Sequence, residues 1–252
     1  YPERYQIYLE LLRKNKNDQT VDKEDIKDMY SWVRALNNLD DYIEKHTPHI
    51  NEKDAREKRQ LTVFEDIRDS LERGQKSGYV KLPTGVGKTV LFSQVVESLG
   101  LKSLIVVPSK ILVGQTGDRF EEFTDVEFGK YFQEVKDYLK PVTITTYLSL
   151  IRGLKSGKIK PEEYGAIILD EVHKALGPKS VEAIKKFDCV KLGFTATPEY
   201  SNEKHVGDVL EHEIHSMSII EAVQEGLISR FKSYLAYTET DFSKVKIKNG
   251  DR

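Results

Sequence analysis

The rhythm of apolar positions along this chain changes near residue 58. Before it, the spacing is helical. Ile7, Tyr8, Leu11 and Leu12 form one set. Met29, Trp32, Val33, Leu36 and Leu39 line one face of a second helix, with Asp22 a fair N-cap. Pro48 and Asn51 mark a break and a third helical start. Residues 1–57 therefore read as a small helical appendage whose alternating charges form a solvated face. Beyond it, short continuous apolar runs at 79–82, 103–107, 142–145, 165–169 and 190–195 predict strands buried on both faces of a parallel sheet. Amphipathic stretches at 61–73, 89–98, 110–123, 147–155 and 179–187 predict the helices between them. Such alternation predicts an α/β fold of right-handed βαβ units. Residues 209–215 read as a further strand. Ser218 and Glu221 form a capping box for a helix that Gly226 closes. Tyr234–Tyr237 is a last strand-like run.

The candidate chemistry lies where these predicted strands end. After the run ending at Leu82 comes Pro83-Thr84-Gly85-Val86-Gly87-Lys88-Thr89, and then a predicted helix. Two glycines let the backbone curl close to an anion, and the first helix amides point at it. Lys88 is placed to reach β- and γ-phosphates and Thr89 to hold Mg²⁺. Leu82 stands where the strict G-x-x-x-x-G-K-[ST] pattern has its first glycine.

A second strand runs into Asp170-Glu171-Val172-His173. Asp170 is expected to hold Mg²⁺ through water. Glu171 is expected to orient and deprotonate an attacking water. His173 is a candidate link to a neighbouring loop. Ser109 and Lys110 follow one strand, and Thr145 and Thr146 end another; hydroxyls, a lysine and helix-start amides suit a phosphodiester backbone. On those residues alone, helix capping by Ser109 and Thr146 is the preferred reading. Thr195-Ala196-Thr197-Pro198 ends the fifth run, with two hydroxyls able to bond the acids, or simply a turn.

Composition narrows the partners. The net charge of −2 gives no global pull toward nucleic acid or anionic membrane, so any polymer surface is a local patch. Cys189 is the one cysteine, which excludes an intrachain disulfide and points to a reducing, cytoplasmic setting. No apolar run approaches the roughly 18 residues of a membrane span. The start at Tyr1 and the polar tail from Asp241 suggest a piece of a longer protein.

Taken together and in order, Pro83–Thr89, Asp170–His173 and Thr195–Pro198 resemble motifs I, II and III of superfamily 2 helicases and translocases. The form Gly193-Phe194-Thr195-Ala196-Thr197-Pro198 is most similar to the branch of restriction-enzyme motor subunits. Val107–Lys110 resembles motif Ia and Thr145–Tyr147 motif Ib. Gln60 sits where that family reads adenine, although Arg59 replaces the usual tyrosine.

The resemblance implies a RecA-like lobe over residues 58–240, with 241–252 beginning a connection to a second lobe. It implies ATP and Mg as cofactors and nucleic acid, DNA before RNA, as partner. ATP would lie on Gln60, Pro83, Thr84, Gly85, Val86, Gly87, Lys88 and Thr89, with Mg on Thr89 and Asp170. Lys88, Asp170 and Glu171 would be catalytic, and His173, Thr195 and Thr197 would couple the site to strand movement. Ser109, Lys110, Thr145 and Thr146 would touch the polymer. Without the second lobe's arginines, hydrolysis is expected to be slower by on the order of 10³ to 10⁵. The rivals are a P-loop kinase or GTPase, for which no guanine-reading Asn-Lys-x-Asp is present, and a nucleotide-binding scaffold without turnover.

Overall fold

The computed structural model describes residues 23–47, 55–201 and 204–232. The set at 7–12, Asp22, the break at 48–51, the run at 234–237 and the tail lie outside those residues. The chain runs α1 (Lys23–His46), α2 (Ala55–Glu72), β1 (Ser77–Lys81), α3 (Lys88–Leu99), β2 (Ser103–Val107), α4 (Lys110–Phe123), β3 (Phe128–Phe132) and β4 (Val135–Lys136). It continues β5 (Val142–Thr146), α5 (Tyr147–Lys155), β6 (Ala166–Asp170), α6 (Pro178–Lys185), β7 (Val190–Thr195), β8 (Glu199–Ser201), β9 (Lys204–His205), β10 (His212–Ser216) and α7 (Ile219–Gln224).

Eight strands form one sheet in the order β10-β1-β7-β6-β2-β5-β3-β4. All neighbours are parallel except the β3–β4 pair. This is the α/β lobe that the alternation predicts. Successive residues of a strand face opposite sides, and both sides here are apolar. Ile105 and Val107 of β2 enter one core, with α1 to α4, while Leu104 and Val106 enter the other. Ala166 and Ile168 against Ile167 and Leu169 repeat the division on β6. That is why these strands read as unbroken apolar runs.

The face of α1 forms as its spacing predicts: Met29, Trp32, Val33, Leu36 and Leu39 are all buried. They share the core of α2 and α3. Two side chains of α1 also close helix ends. The Trp32 indole donates to the Leu71 carbonyl at 3.0 Å, and the Asn38 amide to the Leu99 carbonyl at 3.0 Å. Both carbonyls belong to last turns that lack intrahelical partners.

Three departures from the expected elements have physical causes. The hairpin β3–β4 was not foreseen, because its two-residue turn is Gln133-Glu134 and carries no glycine or asparagine signal. The small β8–β9 pair was likewise missed. The strand expected at 209–215 begins at His212, because Val206–Asp208 closes a one-turn helix capped by His205 and Asp208. Val209 and Leu210 are then buried in a core rather than paired.

Candidate active site

Five loops gather at the carboxyl ends of β1, β2, β5, β6 and β7, the end of an open parallel sheet where ligands bind. After β1, Gly85 and Gly87 take φ of 92° and 96°, the left-handed region that a side chain resists. Gly87 is the N-cap of α3, so the loop passes into the helix with its first amides free of side-chain caps. Pro83 is buried, whereas Thr84, Gly85 and Gly87 are exposed. Lys88 is only 8% exposed, yet it sits at a loop rather than in a core. Its ammonium donates to the Leu82 carbonyl at 3.3 Å and lies 3.5 Å from Glu171 Oε1. The lysine turn and the acid pair, 83 positions apart by number, therefore share one cleft.

Strand β6 delivers the acids. Asp170 is buried, and burial together with the neighbouring Glu171 pushes its carboxyl up to about 6, against the opposing pull of Lys88. A buried carboxyl so poorly solvated is a donor that a divalent cation would satisfy. Glu171 takes a left-handed φ of 46°, one of two non-glycine residues to do so among the described residues. That turn aims its carboxylate two ways: Oε1 toward Lys88, and Oε2 to 3.4 Å from His173 Nδ1.

The same His173 nitrogen lies 2.8 Å from the Thr195 hydroxyl. Thr195 donates to the Thr197 carbonyl at 3.0 Å and accepts from the Thr197 amide at 3.1 Å. Lys88, Glu171, His173, Thr195 and Thr197 thus form one polar chain from β1 through β6 to β7. Burial holds the His173 ring below its usual pKa, so near neutrality it is uncharged and can donate or accept.

The other predicted residues fall into place less evenly. Ser109 and Thr146 cap α4 and α5, accepting from the Leu112 amide at 3.4 Å and the Ser149 amide at 3.1 Å. Lys110 is exposed on the first turn of α4. Thr145 is fully buried and donates to the Tyr131 carbonyl at 2.6 Å, so its hydroxyl serves the sheet and has no face for a polymer. Gln60 is half-buried on α2, beside Arg59, whose guanidinium is gripped by the Glu225 carboxylate.

One participant was not picked out from the sequence for its side chain. The phenol of Tyr147, buried at the start of α5, donates to the Asp170 carbonyl at 2.9 Å. It reaches from the end of β5 past β2 to the end of β6. Nothing in the sequence pattern marks a bond between residues so placed. A cavity of about 490 Å³, lined in part by Trp32, Lys102, Tyr164 and Cys189, lies where the strands begin, away from all these groups. Its charged walls balance, and the polar chain above is at the opposite end of the sheet.

The family model "Type III restriction enzyme, res subunit" matches residues 54–200. The DNA 3'-5' translocase XPB2 of Sulfurisphaera tokodaii is 30% identical over 184 residues, covering 71% of this chain and 40% of that protein. The putative ATP-dependent helicase IRC3 of Saccharomyces cerevisiae is 27% identical over 200 residues, covering 71% of this chain and 28% of that one. The chain therefore spans less than half the length of either relative.

Among solved structures, the Pyrococcus furiosus Hef helicase domain superposes with a TM-score of 0.50 at 24% identity, over 56% of this chain and 35% of that one. The type ISP restriction-modification enzyme LlaGI, in complex with a DNA substrate mimic, gives 0.51 at 18% identity, over 67% and 20%. These two likenesses speak for the fold. With the motifs brought into one cleft on a parallel sheet, the chain belongs to the type III restriction enzyme res-subunit family, as an N-terminal lobe of the superfamily 2 helicase type.

Proposed function

We propose that this lobe binds and hydrolyses ATP with Mg²⁺ in order to move along nucleic acid, DNA before RNA, within a longer cytoplasmic protein that supplies a second lobe. The observation that carries the reading is the approach of Lys88 to Glu171 at 3.5 Å, from segments that follow two different strands. A phosphate loop with no acid near it could bind a nucleotide. A loop sharing a cleft with a positioned carboxylate can also cut one.

The roles follow from the groups. The amides of Gly85 to Thr89 would receive the phosphates at the start of α3. Phosphate oxygens would take over the Lys88 ammonium, leaving the Glu171 carboxylate for a water. Glu171 would accept that water's proton as its oxygen attacks the γ-phosphorus and the bond to ADP breaks. Thr89 and Asp170 would hold the metal, with phosphate oxygens and water completing its shell. Magnesium bound there supplies charge neutralisation across the β- and γ-phosphates. A change at Glu171 would pass through His173 to Thr195 and Thr197. Lys110 and the helix-start amides behind Ser109 and Thr146 would meet the polymer backbone.

The decisive experiment is Glu171→Gln in the full-length protein. ATP binding should persist while polymer-stimulated hydrolysis falls by about 10² to 10⁴, the usual worth of a general base. A scaffold that merely holds nucleotide would show the same function with either residue. An unmodified protein whose ATPase rate ignores both DNA and RNA would end the motor reading.

A further inference from the structure

The two acids at the end of β6 are joined by a single peptide unit, and a side chain from another strand end grips it. Its carbonyl, that of Asp170, accepts from the Tyr147 phenol at 2.9 Å. Its N–H, that of Glu171, interacts with the Asp170 carboxylate. A peptide unit is planar, so fixing the oxygen also fixes the direction of the N–H. It restricts the φ open to Glu171 as well. One phenol therefore acts on the setting of both carboxylates.

Three observations set this bond apart from ordinary packing. Glu171 takes its φ of 46° in the region that a side chain resists. Such a conformation persists only where the surroundings over-determine it, and the phenol holds the peptide bond that enters the turn. Second, the bond lies where the sheet releases β6 on one side. Pairing with β2 ends at Leu169, opposite Val106, while Asp170 keeps a strand partner in Phe194 of β7. Third, the hydroxyl belongs to a side chain of a dry interior: Tyr147 shares a core with Val106, Leu169 and Val172. Phenylalanine would fill that space with no polar atom to satisfy. The hydroxyl is accounted for by the bond it makes.

We propose that Tyr147 is a positioning residue for hydrolysis. Its phenol fixes the Asp170–Glu171 peptide, which keeps Glu171 in the left-handed turn with Oε1 3.5 Å from Lys88. Tyr147 is not a catalytic group; it acts through the main chain of the two acids. Without the hydroxyl, the peptide plane is free to tilt, and Glu171 relaxes toward the negative φ that a glutamate prefers. Its carboxylate then leaves the neighbourhood of Lys88, and the Glu171 N–H turns away from the Asp170 carboxylate. The inference rests on the proposed motor function.

The test is Tyr147→Phe in the full-length protein. The melting temperature should change by only a few degrees, because the ring and its core are kept. At saturating Mg²⁺, kcat for polymer-stimulated hydrolysis should fall by about 10- to 100-fold, the cost of a misplaced catalytic group, with KM for ATP nearly unchanged. Binding of Mn²⁺, followed by electron paramagnetic resonance with a non-hydrolysable ATP analogue present, should weaken several-fold through Asp170. Added to Glu171→Gln, Tyr147→Phe should cost little more in kcat, since both act at one carboxylate. Full additivity would mark a merely structural role and overturn the assignment. So would a Tyr147→Phe variant with the unmodified kcat and Mn²⁺ affinity, or one that does not fold. Should the unmodified protein hydrolyse no ATP, the motor reading falls by itself, and the Mn²⁺ measurement alone decides the role of Tyr147.

Discussion

Asp170 holds its proton up to about pH 6, whereas a free aspartate gives it up near pH 4. The folded chain binds this proton more tightly than the unfolded chain does. The resulting stabilisation is fully present below about pH 4 and is lost as pH rises through about 6. Its size is about 3 kcal/mol, from roughly 1.4 kcal/mol per pKa unit. Asp170→Asn cannot titrate, so its stability relative to the unmodified protein should grow across that interval. Urea titrations without divalent cations, at steps between about pH 4 and pH 7.5, should show the two curves diverging; parallel curves would mean that Asp170 is not taken out of water as described.

Among single residues, what was legible was what local chemistry dictates. Lys88 after two glycines, and Asp170-Glu171 after an apolar strand, announce themselves by type and position. The caps Ser109 and Thr146 and the box at Ser218 and Glu221 are equally local, and all four form. The Tyr147 bond to the Asp170 carbonyl and the burial of Thr145 depend on which strands become neighbours. No periodicity encodes that.

For whole elements, the same division holds. Strand β2 and helix α4 begin and end at 103–107 and 110–123, as their patterns predict, because strong apolar periodicity is bounded there by Pro108-Ser109. The β3 strand is weaker: only Gly129 and Tyr131 of its five residues are buried, Lys130 stands between them, and its turn uses residues that rarely make one. Helix α1 illustrates a further limit. Its apolar face was plain, but what that face covers was not. Because Trp32 is buried against α2 and its indole closes that helix, Trp32→Ala should destabilise the lobe by about 3–5 kcal/mol. Denaturant midpoints would check it. A loss under about 1 kcal/mol would show α1 to be a separable attachment.

Across the molecule, stability and chemistry are arranged on different axes. The centre of the sheet is dry on both faces, and the acids and phosphate loop sit on its rim. Hydrogen exchange should therefore be slowest in β2, β5 and β6, near the rate set by global unfolding, and fast in the exposed β4 edge. Mass spectrometry of exchanged peptides reads this directly, and a β4 as protected as β2 would contradict it.

The alternation of β2 and β6 between two cores has a consequence for how such a chain can change its length. Deleting or inserting one amino acid within either strand would turn every following side chain to the opposite face, spoiling both interiors in a single event. Drift in length is thereby barred from the middle of the lobe and diverted to its loops. Those at the carboxyl rim are the same loops proposed to hold nucleotide and polymer, so the part of the molecule freest to vary is also the part from which a new preference for partners could arise.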